Sequence, residues 1–203
     1  MSKNNDFNFL YDNKLRFISY WHQIDEVLKV SPKITLEIGI GNSFVSNYLK
    51  KAGLNIITLD INEKLSPRVV GNIFNIPFKD ASFDVVACFE IFEHLPYENF
   101  QKELLEVFRV SKNFVLLSLP DMERIYCFYL RIPKLIEFKK MLSLPRINKP
   151  VHTFDGQHYW EIGKATWPLK RIVKDIQKAG FEIMRTYRIF EFPYHRFFIL
   201  RKH

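Results

Sequence analysis

Two cysteines in 203 residues, Cys88 and Cys127, are too few for a disulfide framework and show no metal-ligand spacing. No run of about 18 apolar residues, the length that spans a bilayer, occurs. Met1–Asn8 is polar and lacks the apolar core of a secretory signal, and no repeat or low-complexity tract is present. These absences exclude a disulfide scaffold, a membrane-spanning chain and a repeat array, and the cytoplasm is the expected address. Disorder is excluded by 47% hydrophobic content with 20 Phe. A prior of about 150 residues per domain favours one domain over two. Cys88 is expected in a core strand and Cys127 in a later helix, both as small core residues.

Acidic residues are thin in the second half. Residues 1–100 hold 10 Lys/Arg against 12 Asp/Glu, whereas residues 101–203 hold 20 against 10. A basic half attracts anionic partners at long range. An anionic small molecule, a lipid or a nucleic acid would gain from it, and a solvated basic surface is the plain alternative.

The chain's most informative stretch is Thr35-Leu36-Glu37-Ile38-Gly39-Ile40-Gly41-Asn42-Ser43. An alternating apolar segment that ends in an acid and two close glycines reads as a buried strand breaking into a tight turn before a helix. Asp60 lies 19 residues beyond Gly41, near the offset at which a carboxylate meets a ribose in a nucleotide-binding βαβ unit. A dinucleotide fingerprint wants a third glycine where Phe44 stands. Glu37 would also repel a pyrophosphate but attract a cationic ligand. An NAD-dependent dehydrogenase is therefore disfavoured.

Three further segments keep this order: Gly71-Asn72-Ile73-Phe74-Asn75-Ile76-Pro77-Phe78, Ser82–Glu90, and Ile91-Phe92-Glu93-His94-Leu95-Pro96. With the E-x-G-x-G turn, they make residues 33–120 similar to class I S-adenosylmethionine-dependent methyltransferases, and within them to the methyltransferase type 11 group. The resemblance implies a Rossmann-like, doubly wound α/β sheet of seven strands, mostly parallel with an antiparallel last strand. It implies helices on both faces and S-adenosylmethionine as cofactor. By the same resemblance Glu37 lies near the methionyl ammonium, and Gly39, Ile40 and Gly41 give backbone around that moiety. Asp60 takes the ribose, Ile61, Asn72 and Ile73 take the adenine, and the Phe89 backbone faces the amino-acid end. Asn72 stands where the group commonly has an acid.

Periodicity divides the chain into an N-terminal helical cap (1–32), a cofactor half (33–120), an acceptor insertion (121–165) and a final helix with a hairpin (166–203). Leu15, Ile18, Trp21, His22, Val27 and Leu28 are expected on the buried face of a helix over 14–30. Strands are expected at 33–40, 54–60, 69–70, 83–89, 113–119, 181–188 and 196–201. The aromatic and basic stretch 121–140 is expected to be helical. It would be a cap over the acceptor, or an interfacial helix turning Arg124, Arg131, Lys134, Lys139 and Lys140 to lipid headgroups. Pro145, Pro150 and the polar run to Gly156 read as loop.

Methyl transfer from a sulfonium needs positioning of the acceptor first, and a base only when the acceptor must lose a proton. His94 is one candidate base, with an orienting role for its loop as the alternative. His158 is the other. It lies in the cluster His152–Gly163, where His152, Asp155, Tyr159 and Trp160 are candidate acceptor-binding residues. Anchoring of this loop to the core by Trp160 is the competing reading. His152 and His158 are six apart with no H-E-x-x-H spacing, so no metal site is expected. The expected activity is methylation of a small molecule or a glycan or lipid precursor. RNA methylation is a second reading, weakened because Phe89-Glu90-Ile91-Phe92 is no base-amine methylase motif. A non-catalytic partner protein that binds S-adenosylmethionine is a third.

Overall fold

The computed structural model describes residues 11–144, 146 and 148–202. The polar N-terminus Met1–Asn8 and the loop marker Pro145 lie outside the described residues. One seven-stranded sheet runs in the order β3-β2-β1-β4-β5-β9-β8. Its strands are β1 (Thr35–Ile38), β2 (Ile56–Asp60), β3 (Val69–Val70), β4 (Phe83–Phe89), β5 (Ser111–Pro120), β8 (Phe181–Arg188) and β9 (His195–Lys202). β1 to β5 pair in parallel, and β9 lies antiparallel between β5 and β8. The expected doubly wound sheet with an antiparallel last strand is what is found.

Alternation along the strands builds two cores. Val86, Cys88, Val115, Leu117, Phe198 and Leu200 face α3 (Phe100–Val110) and α4 (Leu169–Lys178). Val85, Ala87, Phe89, Leu116, Phe197 and Ile199 face α1 (Lys14–Val30) and α2 (Phe44–Lys51). β4, nearly continuously apolar in sequence, is buried from both sides, as a central parallel strand must be. Strand order reverses between β1 and β4, and the crevice outside their carboxyl ends is where such sheets take ligands.

α1 begins at Asn13, whose Oδ1 accepts from the amides of Leu15 (3.0 Å) and Arg16 (3.1 Å). It ends at Ser31, in the left-handed region with φ 50°. Its buried face is the expected one only in part: Val27 is buried and Ile18 packs against the core. Leu15, Trp21 and Leu28 are exposed, whereas Ser19, Gln23 and Glu26 are buried beside Tyr20, Ile24 and Val27. Partners distant in sequence make this possible. His195 Nδ1 sits 2.7 Å from the Ser19 hydroxyl, and Glu26 accepts from Arg185 (2.5 Å) and Tyr187 (2.8 Å).

The expected helix over 121–140 is corrected. The segment forms a separate two-stranded ribbon, β6 (Ile125–Ile132) and β7 (Ile136–Ser143). Pro133 inside the segment opposes a helix, and Pro133-Lys134 makes the turn instead. Leu135 donates back to the Ile132 carbonyl at 3.0 Å, with Lys134 at φ +62°, which is turn chemistry with proline in second place. Both ribbon faces carry aromatic side chains at the surface, so no one-sided pattern marks it as a strand. Cys127 therefore lies in an exposed strand rather than in a core helix. Cys88 is in the core as expected.

Candidate functional site

A cavity of about 450 Å³ opens at the carboxyl ends of β1, β2 and β4, walled on the other side by α1 and the 157–158 and 194–195 segments. The turn after β1 forms its floor. Gly39 (φ +74°) and Gly41 (φ +49°) both take conformations that side chains disfavour. A Cβ at Gly39 would lie 1.8 Å from Ile91 Cδ1, so glycine is required there by space as well as by φ. Phe44, which replaces the third glycine of a dinucleotide fingerprint, stacks on Tyr20 (5.1 Å) and meets Phe17 edge-on (5.2 Å), fastening α2 to α1.

Glu37 sits on the cavity wall with 6% exposure, and among the described residues its Oε2 has no hydrogen-bond donor. Burial pushes its carboxyl up to about 7, with Ser46 and Lys50 acting against burial and Asp60 with it. An unsatisfied buried carboxylate is costly unless a cation or donor joins it, and an ammonium group fits that need. Asp60 ends β2 with its carboxylate fixed. Oδ2 accepts from the Ile40 amide (2.9 Å) and Oδ1 from the Asn62 amide (2.8 Å), leaving lone pairs for a ribose hydroxyl. Glu37, Gly39, Ile40, Gly41, Asp60 and Phe89 thus share one cavity. Ile61, Asn72 and Ile73 do not line it. Ile61 is 71% exposed, Ile73 is buried, and the Asn72 side chain accepts from the Phe74 amide at 3.0 Å. The residues present fit S-adenosylmethionine at its amino-acid and ribose ends.

The far side of the cavity is richer than the sequence suggested. Arg16, Glu90, Glu93, Tyr194 and His195 line it together with the expected His94 and His158. Glu90 takes φ +54° at the end of β4. Burial raises the carboxyls of Glu90 and Glu93, and their mutual repulsion raises Glu93 further. Burial also lowers His195 to about 3, so its imidazole is neutral. His158 Nδ1 lies 3.3 Å from Glu161 Oε1, which also accepts from the Tyr194 hydroxyl (2.5 Å). Burial opposes ionisation of Glu161, but His158, Tyr194 and Lys164 outweigh it and hold that carboxyl at about 2. The spacing Glu90-x-x-Glu93-His94 just after a core strand is the sequence signal that would have found the two acids.

The other expected acceptor residues are scattered. Trp160 is a correction: it is fully buried, and its Nε1 donates to the Phe92 (3.1 Å) and Leu95 (3.2 Å) carbonyls. Packed on Tyr97 and Phe100, it has no face for an acceptor and anchors the loop. His152 is also a structural group, its Nε2 2.9 Å from the His158 carbonyl and its ring against Trp167. Asp155 Oδ1 accepts from the Gln157 (2.9 Å) and His158 (2.7 Å) amides, shaping the turn that aims His158. Tyr159 is 42% exposed and packs on Phe154, away from the cavity.

Comparison with known proteins places this geometry. Residues 36–117 match the family model described as a methyltransferase domain. An uncharacterized protein of Methanocaldococcus jannaschii is 36% identical over 87 residues, covering 39% of this chain and 36% of that protein. The chain thus spans little more than a third of the curated relative that it matches. Among solved structures, a magnesium protoporphyrin IX methyltransferase from Synechocystis PCC 6803 with bound S-adenosylmethionine is 17% identical. The alignment covers 97% of this chain and 85% of that one, with TM-score 0.61. An S-adenosylmethionine-dependent methyltransferase from Clostridium acetobutylicum is 10% identical, covers 99% of each chain and gives TM-score 0.64. A glycopeptide N-methyltransferase bound to S-adenosylhomocysteine is 12% identical over 90% of this chain and 89% of its own, with TM-score 0.60. Sheet order, glycine bend and matched segment agree: residues 36–117 are similar to a methyltransferase domain, and the chain shares its fold with solved S-adenosylmethionine-dependent methyltransferases.

Proposed function

We propose that this chain transfers a methyl group from S-adenosylmethionine to a small molecule or to a glycan or lipid precursor, anionic in character. The observation that carries the reading is the buried Glu37 carboxylate beside the Gly39–Gly41 bend, one of its oxygens without a partner among the described residues, in one cavity with Asp60. The donor supplies an already activated methyl on sulfur, so the chain's own task is to hold and orient. Glu37 holds an ammonium, the bend brings backbone close, and Asp60 takes the ribose. His94 and His158, at the opposite wall, stand where an acceptor hydroxyl is activated. No helix among the described residues is long and apolar enough to cross a membrane. We place the protein in the cytoplasm, where an exposed free cysteine such as Cys127 stays reduced.

Thermal unfolding tests the donor assignment. S-adenosylhomocysteine at about 100 times its dissociation constant contributes about 2.7 kcal/mol and raises the melting temperature by several degrees, whereas NAD leaves it unchanged. A shift with NAD and none with S-adenosylhomocysteine would refute the assignment.

The ribbon favours a lipid-borne acceptor within this range. Tyr126, Phe128, Tyr129, Leu130 and Phe138 are about half exposed, Leu135 at the turn is 82% exposed, and Arg131, Lys134, Lys139 and Lys140 stand among them. Apolar tips flanked by cations suit the boundary of an anionic bilayer. Co-sedimentation with phosphatidylserine-containing vesicles is expected for the native protein and reduced severalfold in Leu135→Glu. Equal sedimentation of both proteins would remove the ribbon from any membrane role.

A further inference from the structure

The acceptor wall holds a group of side chains that donor binding leaves without a task. Glu93 is fully buried, and among the described residues no donor reaches either of its carboxylate oxygens. One of those oxygens and one nitrogen each from His94 and His158 all lie within 4.8 Å of one another. Glu90, adjoining Glu93, adds a third such oxygen in the same recess. Acids buried side by side call for positive charge.

Both imidazoles are already oriented through Nδ1. His94 Nδ1 lies 3.1 Å from the Gln157 carbonyl, and His158 Nδ1 lies 3.3 Å from Glu161. An imidazole whose Nδ1–H donates to a carbonyl or carboxylate keeps its Nε2 lone pair free, the arrangement that orients metal-binding histidines. Lys164 (3.2 Å) and the Tyr194 hydroxyl fix Glu161 in turn. The two contributing segments are also stitched together. The Tyr159 amide donates to the Glu93 carbonyl at 2.8 Å, and Trp160 bonds the carbonyls on either side. The sequence spacing that disfavoured a metal compared His152 with His158. The fold pairs His158 with Glu93 and His94 instead.

We propose that Glu93, His94 and His158 bind one divalent first-row transition cation, whose open coordination positions face the cavity and take an acceptor oxygen. Two imidazoles and a carboxylate suit manganese, iron or zinc in the divalent state. Three protein ligands leave room for water or substrate. There the cation draws on a lone pair of an acceptor hydroxyl. The O–H bond breaks with its electron pair left on oxygen, and the proton goes to water. This makes the histidines ligands rather than separate bases. The role toward an acceptor rests on the methyl-transfer reading above; the binding of the cation does not.

The test uses the full chain stripped with EDTA, titrated with Co²⁺ under visible absorption and with Mn²⁺ under electron paramagnetic resonance. S-adenosylhomocysteine binding is measured by calorimetry on the same sample. We expect one Co²⁺ per chain, and at least tenfold weaker binding in His158→Gln and Glu93→Gln with S-adenosylhomocysteine affinity kept. His158 lies on a loop, so its variant stays informative if the buried Glu93→Gln fails to fold. A stripped protein that binds S-adenosylhomocysteine but neither metal overturns the proposal and leaves the donor reading standing. Undiminished Co²⁺ binding in His158→Gln overturns it too. A folded sample that binds the metals but not S-adenosylhomocysteine supports the site and counts against the donor reading.

Discussion

Glu37→Gln is expected to raise the melting temperature of the ligand-free protein at pH 8 while weakening S-adenosylmethionine binding tenfold to a hundredfold. Burial holds the Glu37 carboxyl at about 7, and in the unfolded chain it returns to its ordinary value of about 4.3. The folded value is the higher one. Its contribution to stability is therefore fully present below the unfolded value and is lost as pH rises through 7. Above that window the native state is destabilised by up to about 4 kcal/mol relative to acid pH. Glutamine removes the charge, though its amide brings unmet hydrogen bonds that reduce the gain. At about 2–4 °C per kcal/mol for a chain of this size, the variant should melt several degrees higher at pH 8 and show no gain near pH 4. The binding loss follows from a charge-assisted hydrogen bond, which contributes about 1.5–3 kcal/mol. In the native protein the same group makes donor affinity fall as pH drops below 7. Unchanged melting and unchanged affinity in the variant at pH 8 would remove Glu37 from the donor site.

Trp160→Ala is expected to cost about 3–5 kcal/mol of unfolding free energy, the range for deleting a buried tryptophan. Two effects add here. The ring fills the space between Tyr97 and Phe100, and its N–H serves both the Phe92 and Leu95 carbonyls. Trp160→Phe keeps most of the volume and loses the donor, for about 1–3 kcal/mol. Urea midpoints measure both. The phenylalanine variant should still bind S-adenosylhomocysteine, because Glu37 and Asp60 stand on other elements, while His158 two residues away loses its fixed position. Midpoints within error of the native protein would mean that the loop does not hang on this side chain.

The donor half was legible because its determinants are local. A glycine bend follows one apolar strand, an acid closes the next, and β4 is apolar enough to be central. Those patterns follow from backbone geometry and two-sided burial, which leave traces in adjacent residues. The α1 face was misread because Ser19, Gln23 and Glu26 look solvent-facing until His195, Arg185 and Tyr187 arrive from the far end of the chain. The ribbon was misread as a helix because aromatic and basic residues alternate on both its faces, so neither period stands out. On the far wall of the cavity, Glu93, His94 and His158 are united by the packing of Trp160 and by the bonds of Tyr159 to Glu93 and His94 to Gln157, across more than sixty residues of sequence. Periodicity records no such long-range union.

The ribbon also has a colloidal side. Two strands that pair only with each other leave an outer row of unpaired N–H and C=O groups along each edge, a template on which sister molecules can zip into fibrils. Arg131, Lys139 and Lys140 place like charges on the two strands and Lys134 adds another at their turn, so the cations that suit a lipid surface also guard the protein against self-association.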